Sequence, residues 1–314
     1  MRFSILIPAY KEKYFNDCLE SVFTQDYEDY EVIVLNDASP ENLDSIVESY
    51  SDNPKLRYFK NTDNVGILNL VDNWNKCLSL AKGDYVICIG DDDRLLPCCL
   101  SEYDKLIHLF PQLAVYHGWS EIIDEKGQFY DYQMPRPLIV SAYTMMMQVW
   151  REGGGRQWIG DFCFKTQELR EQGGFYKLPM AWGSDRISAV RAAAKGGVAN
   201  TQVPVFQYRI TKSRLSSSNN AKIKIEARYL SIKWYEEFLS NPVDNAIDEK
   251  MRKLAKWTMH SAMKSASLNN IVEDMLANGC FRSYYYWWSK RTKYDLKRRD
   301  FIKVFVIYIK SKLF

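Results

Sequence analysis

Short apolar runs alternate with segments of helical spacing through the first third of the chain. Residues 3–8 (FSILIP), 31–36 (EVIVLN), 56–59 (LRYF) and 85–90 (YVICIG) are brief, mostly rich in β-branched side chains, and each predicts a strand. Between them, residues 14–25 place Phe15, Cys18, Leu19, Val22 and Phe23 on one face. Residues 67–81 do the same with Ile67, Leu70, Val71, Trp74, Cys77, Leu78 and Ala81. Steps of three and four residues mark a helix with one buried stripe. Strands alternating with helices predict βαβ units and a mostly parallel sheet. Ligands of such sheets bind beyond the carboxyl ends of the strands. Those ends are polar here: Pro8-Ala9-Tyr10, Asn36-Asp37-Ala38-Ser39 and Gly90-Asp91-Asp92-Asp93.

After Asp93 the alternation loosens. Residues 97–110 predict a helix with Pro97 in its first turn. Residues 113–116 predict a short strand, 117–137 carry turn signals, and 141–150 predict a helix. Gly153-Gly154-Gly155 predicts a flexible loop, and residues 158–165 a further strand. Residues 184–195 predict a helix capped by Ser184 and ended by Gly196-Gly197. The polar run 211–220 (TKSRLSSSNN) predicts a boundary between an α/β domain over 1–215 and a charged, helical C-terminal region over 216–314.

Composition narrows the class. With 314 residues, 46% hydrophobic and 26% charged, the chain reads as an ordinary globular protein, not as a disordered, collagenous or coiled-coil one. No run approaches the ~20 apolar residues of a spanning helix, and no signal-peptide pattern precedes the first strand. Seven Cys without a C-x-x-C pair predict buried thiols in a reducing, cytoplasmic setting. Three His argue against a His-rich zinc site, so any metal is expected on oxygen.

Three positions carry candidate chemistry. Asp91, Asp92 and Asp93 repel one another, and a divalent cation or a solvated acidic turn would each account for them. Asp37 stands just past a strand, where it either accepts hydrogen bonds from a base or ribose or caps the following turn. Asp185 stands at a helix start, which favours its ionised form; it is either a general base or a cap. G-x-G-x-x-G after the first strand, G-x-x-x-x-G-K-[ST] and G-x-S-x-G are all missing, so a metal is the expected way to hold a diphosphate.

The ordered set of motifs resembles the family 2 glycosyltransferases of GT-A fold. It comprises SILIPAY at 4–10, YEDYEVIVLNDAS at 27–39, Asn64-Val65-Gly66, AKGDY at 81–85, Gly90-Asp91-Asp92-Asp93, Gly173-Gly174-Phe175, and Ser184-Asp185 with Arg191. The resemblance runs over residues 3–210. It implies a Rossmann-like, mostly parallel sheet flanked by helices. It implies an inverting hexosyltransferase that uses a nucleotide-diphosphate sugar, UDP foremost, with Mn²⁺ or Mg²⁺. The acceptor would be a saccharide or lipid-linked saccharide hydroxyl in cell-surface polysaccharide synthesis. Carried over, Asp37 would contact the base, with Pro8, Ala9 and Tyr10 lining its pocket. Asp92 would face the ribose and Asp93 the metal, with Asp91 assisting. Asp185 would be the base. Arg209, Lys212 and Arg214 are diphosphate candidates, and Trp182 and Arg191 acceptor-side candidates. Two positions depart from the family: Gly90 stands where Asp is frequent, and Ser184 where Glu is frequent. A metal-dependent nucleotidyltransferase would show a Gly/Arg/Lys-rich loop after the first strand, and this chain has PAYKEKYF. Retention of Asp93 and Asp185 speaks against a non-catalytic nucleotide-sugar binder.

Charge is unevenly spread. Residues 281–314 hold ten Lys/Arg and two Asp, a charge of +8, so the first 280 residues sum to −5 within the overall +3. This tail joins Tyr-Tyr-Tyr-Trp-Trp at 284–288 to basic clusters and an apolar run at 301–309. Nine helical residues rise only about 14 Å, less than a bilayer core of about 30 Å. The tail therefore either lies on an anionic membrane from the cytoplasmic side or packs on the catalytic domain. No nucleic-acid-binding module is visible.

Overall fold

The computed structural model describes residues 1–150, 156–211 and 220–313. The first half builds β1 (Phe3–Ala9), α1 (Phe15–Phe23), β2 (Tyr30–Asn36), α2 (Leu43–Glu48), β3 (Leu56–Lys60), α3 (Leu70–Leu80), β4 (Tyr85–Cys88) and β5 (Arg94–Leu95). Then come α4 (Cys99–Leu109), β6 (Val115–Ile123), β7 (Phe129–Tyr132), β8 (Ile139–Val140), α5 (Ala142–Trp150), β9 (Phe162–Lys165), α6 (Thr166–Glu171), α7 (Ser184–Ala193) and β10 (Val198–Arg209). Four helices close the chain: α8 (Ala221–Phe238), α9 (Ala246–Asn278), α10 (Cys280–Lys290) and α11 (Arg298–Leu313).

One sheet runs in the order β3-β2-β1-β4-β9-β6-β10-β5, with β7 on β6 and β8 on β10. The β3-β2-β1-β4 half and the β6-β10 pair are parallel, and antiparallel β9 joins them. The period of two sorts the side chains of β1: Phe3, Ile5, Ile7 and Ala9 enter one core with α1 and α4, while Leu6 enters the other. That second core holds the faces of α3, α5 and α7 and extends to Ala227 and Tyr235 of α8, Leu239 just past its end, and Ala255 and Met259 of α9. Burial on both faces is why the middle of β2, residues 32–35, reads as an unbroken apolar run. The strand order reverses between β2-β1 and β1-β4, which places a ligand crevice at their carboxyl ends.

The expected helices and the first four strands are present within a few residues. Several expectations are corrected. Strand 113–116 is really β6, which runs on to Ile123 through part of the supposed turn region. Strand 158–165 begins as a 3-10 turn at Ile159–Asp161. Ser184 does not cap α7: left-handed Gly183 (φ 91°) does, and the Ser184 hydroxyl inside the first turn accepts from Leu178 N–H at 3.1 Å. A left-handed cap position suits glycine, which has no Cβ to clash. β10 has no counterpart in the sequence reading. The Gly153–Gly155 loop and the expected boundary near residue 215 lie outside the described residues.

All seven cysteines are free thiols, five of them buried. The tail packs against α9 through one face. Trp287, Phe301 and Val304 are fully or almost fully buried, and Trp287 Nε1–H donates to Asp274 at 2.8 Å. Its other face is open: Phe281 and Tyr285 on α10, and Ile302, Phe305, Val306 and Ile309 on α11, are exposed. Among the described residues no helix is long and apolar enough to cross a membrane.

Candidate functional site

Two cavities meet at the carboxyl edge of the sheet. The first, of about 470 Å³, is lined by the ends of β1 and β4 and by the loop before α3, including Pro8, Tyr10, Asp37, Asn64, Asp91 and Asp92. Ile67, Leu70 and Trp74 also line it. The N-terminal end of the predicted α3 stripe therefore faces the crevice. The second cavity, of about 720 Å³, holds Asp185 with Arg186, Arg228, Trp150, Trp158 and Tyr235. Ala181, Trp182 and Tyr208 belong to both. Trp182 is held between them by a strained segment: Met180 (φ 59°) and Ala181 (φ 54°) are left-handed without being glycine. Such positions cost about 1–3 kcal/mol each and persist where the surroundings enforce them. Tyr208 stacks on Trp158 with ring centres 4.1 Å apart.

The acidic turn follows β4, and its carboxylates are partly engaged by backbone. Asp91 Oδ2 accepts from the N–H groups of Tyr10 and Lys11, both at 2.7 Å. Asp93 Oδ1 accepts from Arg209 N–H at 2.9 Å. These bonds knot β4 to β1 and β10. A Cβ at Gly90 would lie 3.1 Å from both Asp92 Oδ1 and Asp93 Oδ2, so those oxygens converge on the space that glycine leaves. Burial, with the neighbouring Asp92 charge, pushes Asp91 up to about 6. Burial likewise raises Asp92, and it raises Asp93 well above the carboxylate range with Asp92 adding to it. Among the described residues no group of three or more His, Cys, Asp or Glu is arranged to enclose a metal. Asp91 and Asp92 line the first cavity, while Asp93 is buried and lines neither cavity.

Asp37 is buried and organises the loop beside the first cavity. Its Oδ1 accepts from Asn61 Nδ2–H at 2.8 Å and Val65 N–H at 3.1 Å, and its Oδ2 from Asn64 Nδ2–H at 2.9 Å. Ala9 points into the core and lines neither cavity; its carbonyl accepts from Asp37 N–H at 3.0 Å. Asp185 sits in the first turn of α7, and Arg186 N–H donates to its Oδ1 at 2.8 Å. Burial lifts its pKa to about 6, against the opposing pull of Arg186.

The arginine candidates have other partners. Arg209 is buried beneath the acidic turn, where Nε–H donates to Asp92 O at 2.8 Å, Nη2 pairs with Asp17 at 3.1 Å, and the guanidinium lies over Tyr14. It lines neither cavity. Arg191 donates to Gly174 O and lies over Tyr176, fastening α7 to the Gly173–Gly174 turn. Lys212 and Arg214 lie outside the described residues. Asn61, Asn64, Arg186 and Arg228 were not foreseen. Asn64 stands in a quoted motif and could have been found there; Arg228 lies far along the chain in a helix without local pattern.

The fold and its crevice define an α/β protein of GT-A architecture, with acidic residues at the strand ends. The chain belongs to glycosyl transferase family 2, whose sequence profile matches residues 4–163. Asp37 and the acidic turn fall inside that match, and Asp185 and Trp182 outside it. Glycosyltransferase GlyA of Streptococcus pneumoniae is 23% identical over 290 residues, covering 88% of this chain and 38% of that protein. The chain spans well under half the length of the first curated relatives it matches. In fold it is similar to S. aureus TarS 1–349 in complex with UDP-GlcNAc, at TM-score 0.64 and 18% identity, over 91% of this chain and 83% of that one. It is also similar to mannosyltransferase PcManGT from Pyrobaculum calidifontis in complex with GDP-Man and Mn²⁺, at TM-score 0.53 and 16% identity, over 99% and 88%.

The Asp37 cluster makes a direct prediction. Asp37→Asn replaces an acceptor facing three N–H donors with an amide that turns its own donors on at least one of them. Stability should fall by about 1–3 kcal/mol, read from denaturant midpoints at unchanged slope. An unchanged midpoint would mean that the loop does not depend on this carboxylate.

Proposed function

We propose that the chain is an inverting glycosyltransferase that moves a sugar from a nucleotide-diphosphate sugar, UDP foremost, to a saccharide or lipid-linked saccharide hydroxyl. Cell-surface polysaccharide synthesis is the setting that this chemistry suits. The observation that carries the reading is the pair of joined cavities, one ending at the acidic turn and one holding Asp185, with Trp182 between. The UDP-GlcNAc bound in TarS supports a uridine donor.

In this reading the first cavity takes the nucleotide beside Pro8, Tyr10 and the Asp37–Asn64 loop, and Asp92 meets the ribose or the metal. Asp93 would hold Mn²⁺ or Mg²⁺. Asp92 is better placed than Asp91 as the second ligand, because Asp91 Oδ2 already accepts two backbone N–H groups. When bound, the cation would offset charge on the departing diphosphate. The acceptor hydroxyl in the second cavity attacks the anomeric carbon. The new C–O bond forms as the bond to the diphosphate oxygen breaks, and Asp185 takes the hydroxyl proton. Trp182 and Tyr208 offer ring faces where the two sugars meet.

Calorimetry of UDP with Mn²⁺ and with EDTA tests the donor side. Affinity should fall about tenfold or more in EDTA, which is about 1.4 kcal/mol. Equal affinity would remove the acidic turn from the metal role.

Asp185→Asn tests the base. Donor affinity should stay nearly constant while turnover drops about 10²- to 10⁴-fold. A carboxylate base works only when ionised, so the wild-type rate should decline as pH falls below the raised pKa of about 6. Unchanged turnover in the variant would leave Asp185 a purely structural residue.

The tail suits peripheral docking on an anionic membrane. Ile302, Phe305, Val306 and Ile309 follow steps of three, four and seven and form one open stripe among basic residues. Cutting the chain before α10 would strip Trp287 and Phe301 from the core, so exposed positions are the better probe. The full chain should sediment with anionic but not neutral vesicles at low salt, and Ile302→Glu with Phe305→Glu should abolish it. Equal recovery in the supernatant would leave the tail a packing element.

A further inference from the structure

The second cavity carries a charge imbalance that proton abstraction does not require. Arg156, Arg186 and Arg228 line it, and Asp185 is the one carboxylate among its described lining residues. Arg156, at the rim, faces Asp131 at 3.7 Å. The other two lack such a partner. Arg228 Nη1–H donates to Asn270 Oδ1 at 2.7 Å and to the Ser267 hydroxyl at 3.4 Å, both neutral. The Arg186 guanidinium makes no hydrogen bond or ion pair among the described residues, and only its backbone N–H reaches Asp185. Arg2, Arg57, Arg209 and Arg252 by contrast each pair with a carboxylate. The two cations also oppose each other: burial, then the nearby Arg186 charge, lowers Arg228 to about 10 against the opposing pull of Glu273. Asp185 lies near Arg186 and Glu273 near Arg228, but neither guanidinium closes an ion pair among the described residues, so their mutual repulsion is only partly offset.

We infer that this cavity is built for an acceptor bearing an anionic group, a carboxylate or a phosphate, gripped by Arg186 and Arg228. The inference rests on reading the second cavity as the acceptor site. A guanidinium fork matches the oxygens of either anion, and an oxyanion between two forks would relieve their repulsion. Neither arginine lines the first cavity, whose charged lining residues are Lys11, Asp37, Asp91 and Asp92, so the donor diphosphate is not their evident target. Trp150, Trp158, Trp182 and Tyr208 supply the ring faces that a saccharide body needs. Arg186 follows Asp185 directly in the first turn of α7. One acceptor unit would thus present its anionic group and its attacking hydroxyl to adjacent residues, and the grip on the anion would set the hydroxyl's position.

The test uses the full chain and three probes: glucuronate, glucose 6-phosphate and neutral glucose. Binding is read by ligand-observed NMR with and without saturating UDP and Mn²⁺. Both anionic sugars should bind about tenfold or more tighter than glucose, with UDP present, and added salt should erode the difference. Arg186→Gln and Arg228→Gln should each abolish that advantage while leaving UDP affinity unchanged. Arg228→Lys, which keeps the charge but not the fork, should restore part of it. Equal binding of glucose and the anionic sugars would overturn the inference, as would an anionic advantage that survives both glutamine variants. Loss of UDP affinity in those variants would assign the arginines to the donor diphosphate and overturn it too. Should Arg228→Gln fail to fold, Arg186→Gln carries the same decision, since the Arg186 guanidinium makes no hydrogen bond or ion pair among the described residues. Failure of UDP to bind the wild type would sink the donor reading alone, because the sugar comparison without UDP is read separately.

Discussion

Three consecutive carboxylates crowd the end of a buried strand, and the way the backbone holds them organises the surrounding crevice. Asp91 takes two N–H groups from the turn after β1, and Asp93 takes one from the end of β10. Arg209 then spans the gap beneath, reaching the Asp92 carbonyl and Asp17 on α1. The repulsion is thus countered by neutral donors, by Lys11 and by the buried Arg209 set behind the turn. The remaining oxygens of Asp92 and Asp93 stay turned to the Gly90 side. A turn held in this way fixes β1, β4 and β10 at their carboxyl ends, where the crevice opens.

The second cavity depends on that arrangement through Tyr208. This residue precedes Arg209 on β10 and reaches Trp158 at stacking distance, so the strand that braces the acidic turn also walls both cavities. From the other side, left-handed backbone at Met180, Ala181 and Gly183 delivers Trp182 into the junction and starts α7 at Ser184. Asp185 and Arg186 then fall in the first turn. Asp185, Arg186 and the Trp182 junction thus share a single short segment, and its strain is sustained by packing against α3 and α8.

How much of this is legible in sequence follows from how local each feature is. The parallel half-sheet was readable because strands buried on both faces are continuous apolar runs and α1 and α3 carry single stripes. Asp37 and Asp91–Asp93 were readable because the end of an apolar strand announces itself. β10 was not: Asn200, Thr201 and Gln202 interrupt its apolar character, and pairing with β6 across two register shifts overrides that weak propensity. Arg209 stood out as a cation, yet its part as a brace depends on Asp17 and Asp92, far away in the chain. Arg228 is legible only in three dimensions, where α8 comes to face α7. The tail showed both of its faces in sequence, but only the packing of α10 and α11 on α9 separates buried Trp287 and Phe301 from exposed Phe281 and Ile302.

Gly90 departs from the family pattern that the rest of the turn follows, and the geometry supplies a reason. Any side chain there would bring its first carbon to 3.1 Å from one oxygen of Asp92 and one of Asp93. Both carboxylates would have to give way, yet Asp93 is held through its other oxygen by Arg209 N–H and sits in a packed interior. An aspartate at this position would add a fourth negative charge where burial already pushes its three neighbours toward protonation. Glycine keeps the space between the converging oxygens open. The strand end thereby keeps its close approach to α1, where the buried Cys18 thiol reaches the Gly90 carbonyl at 3.5 Å.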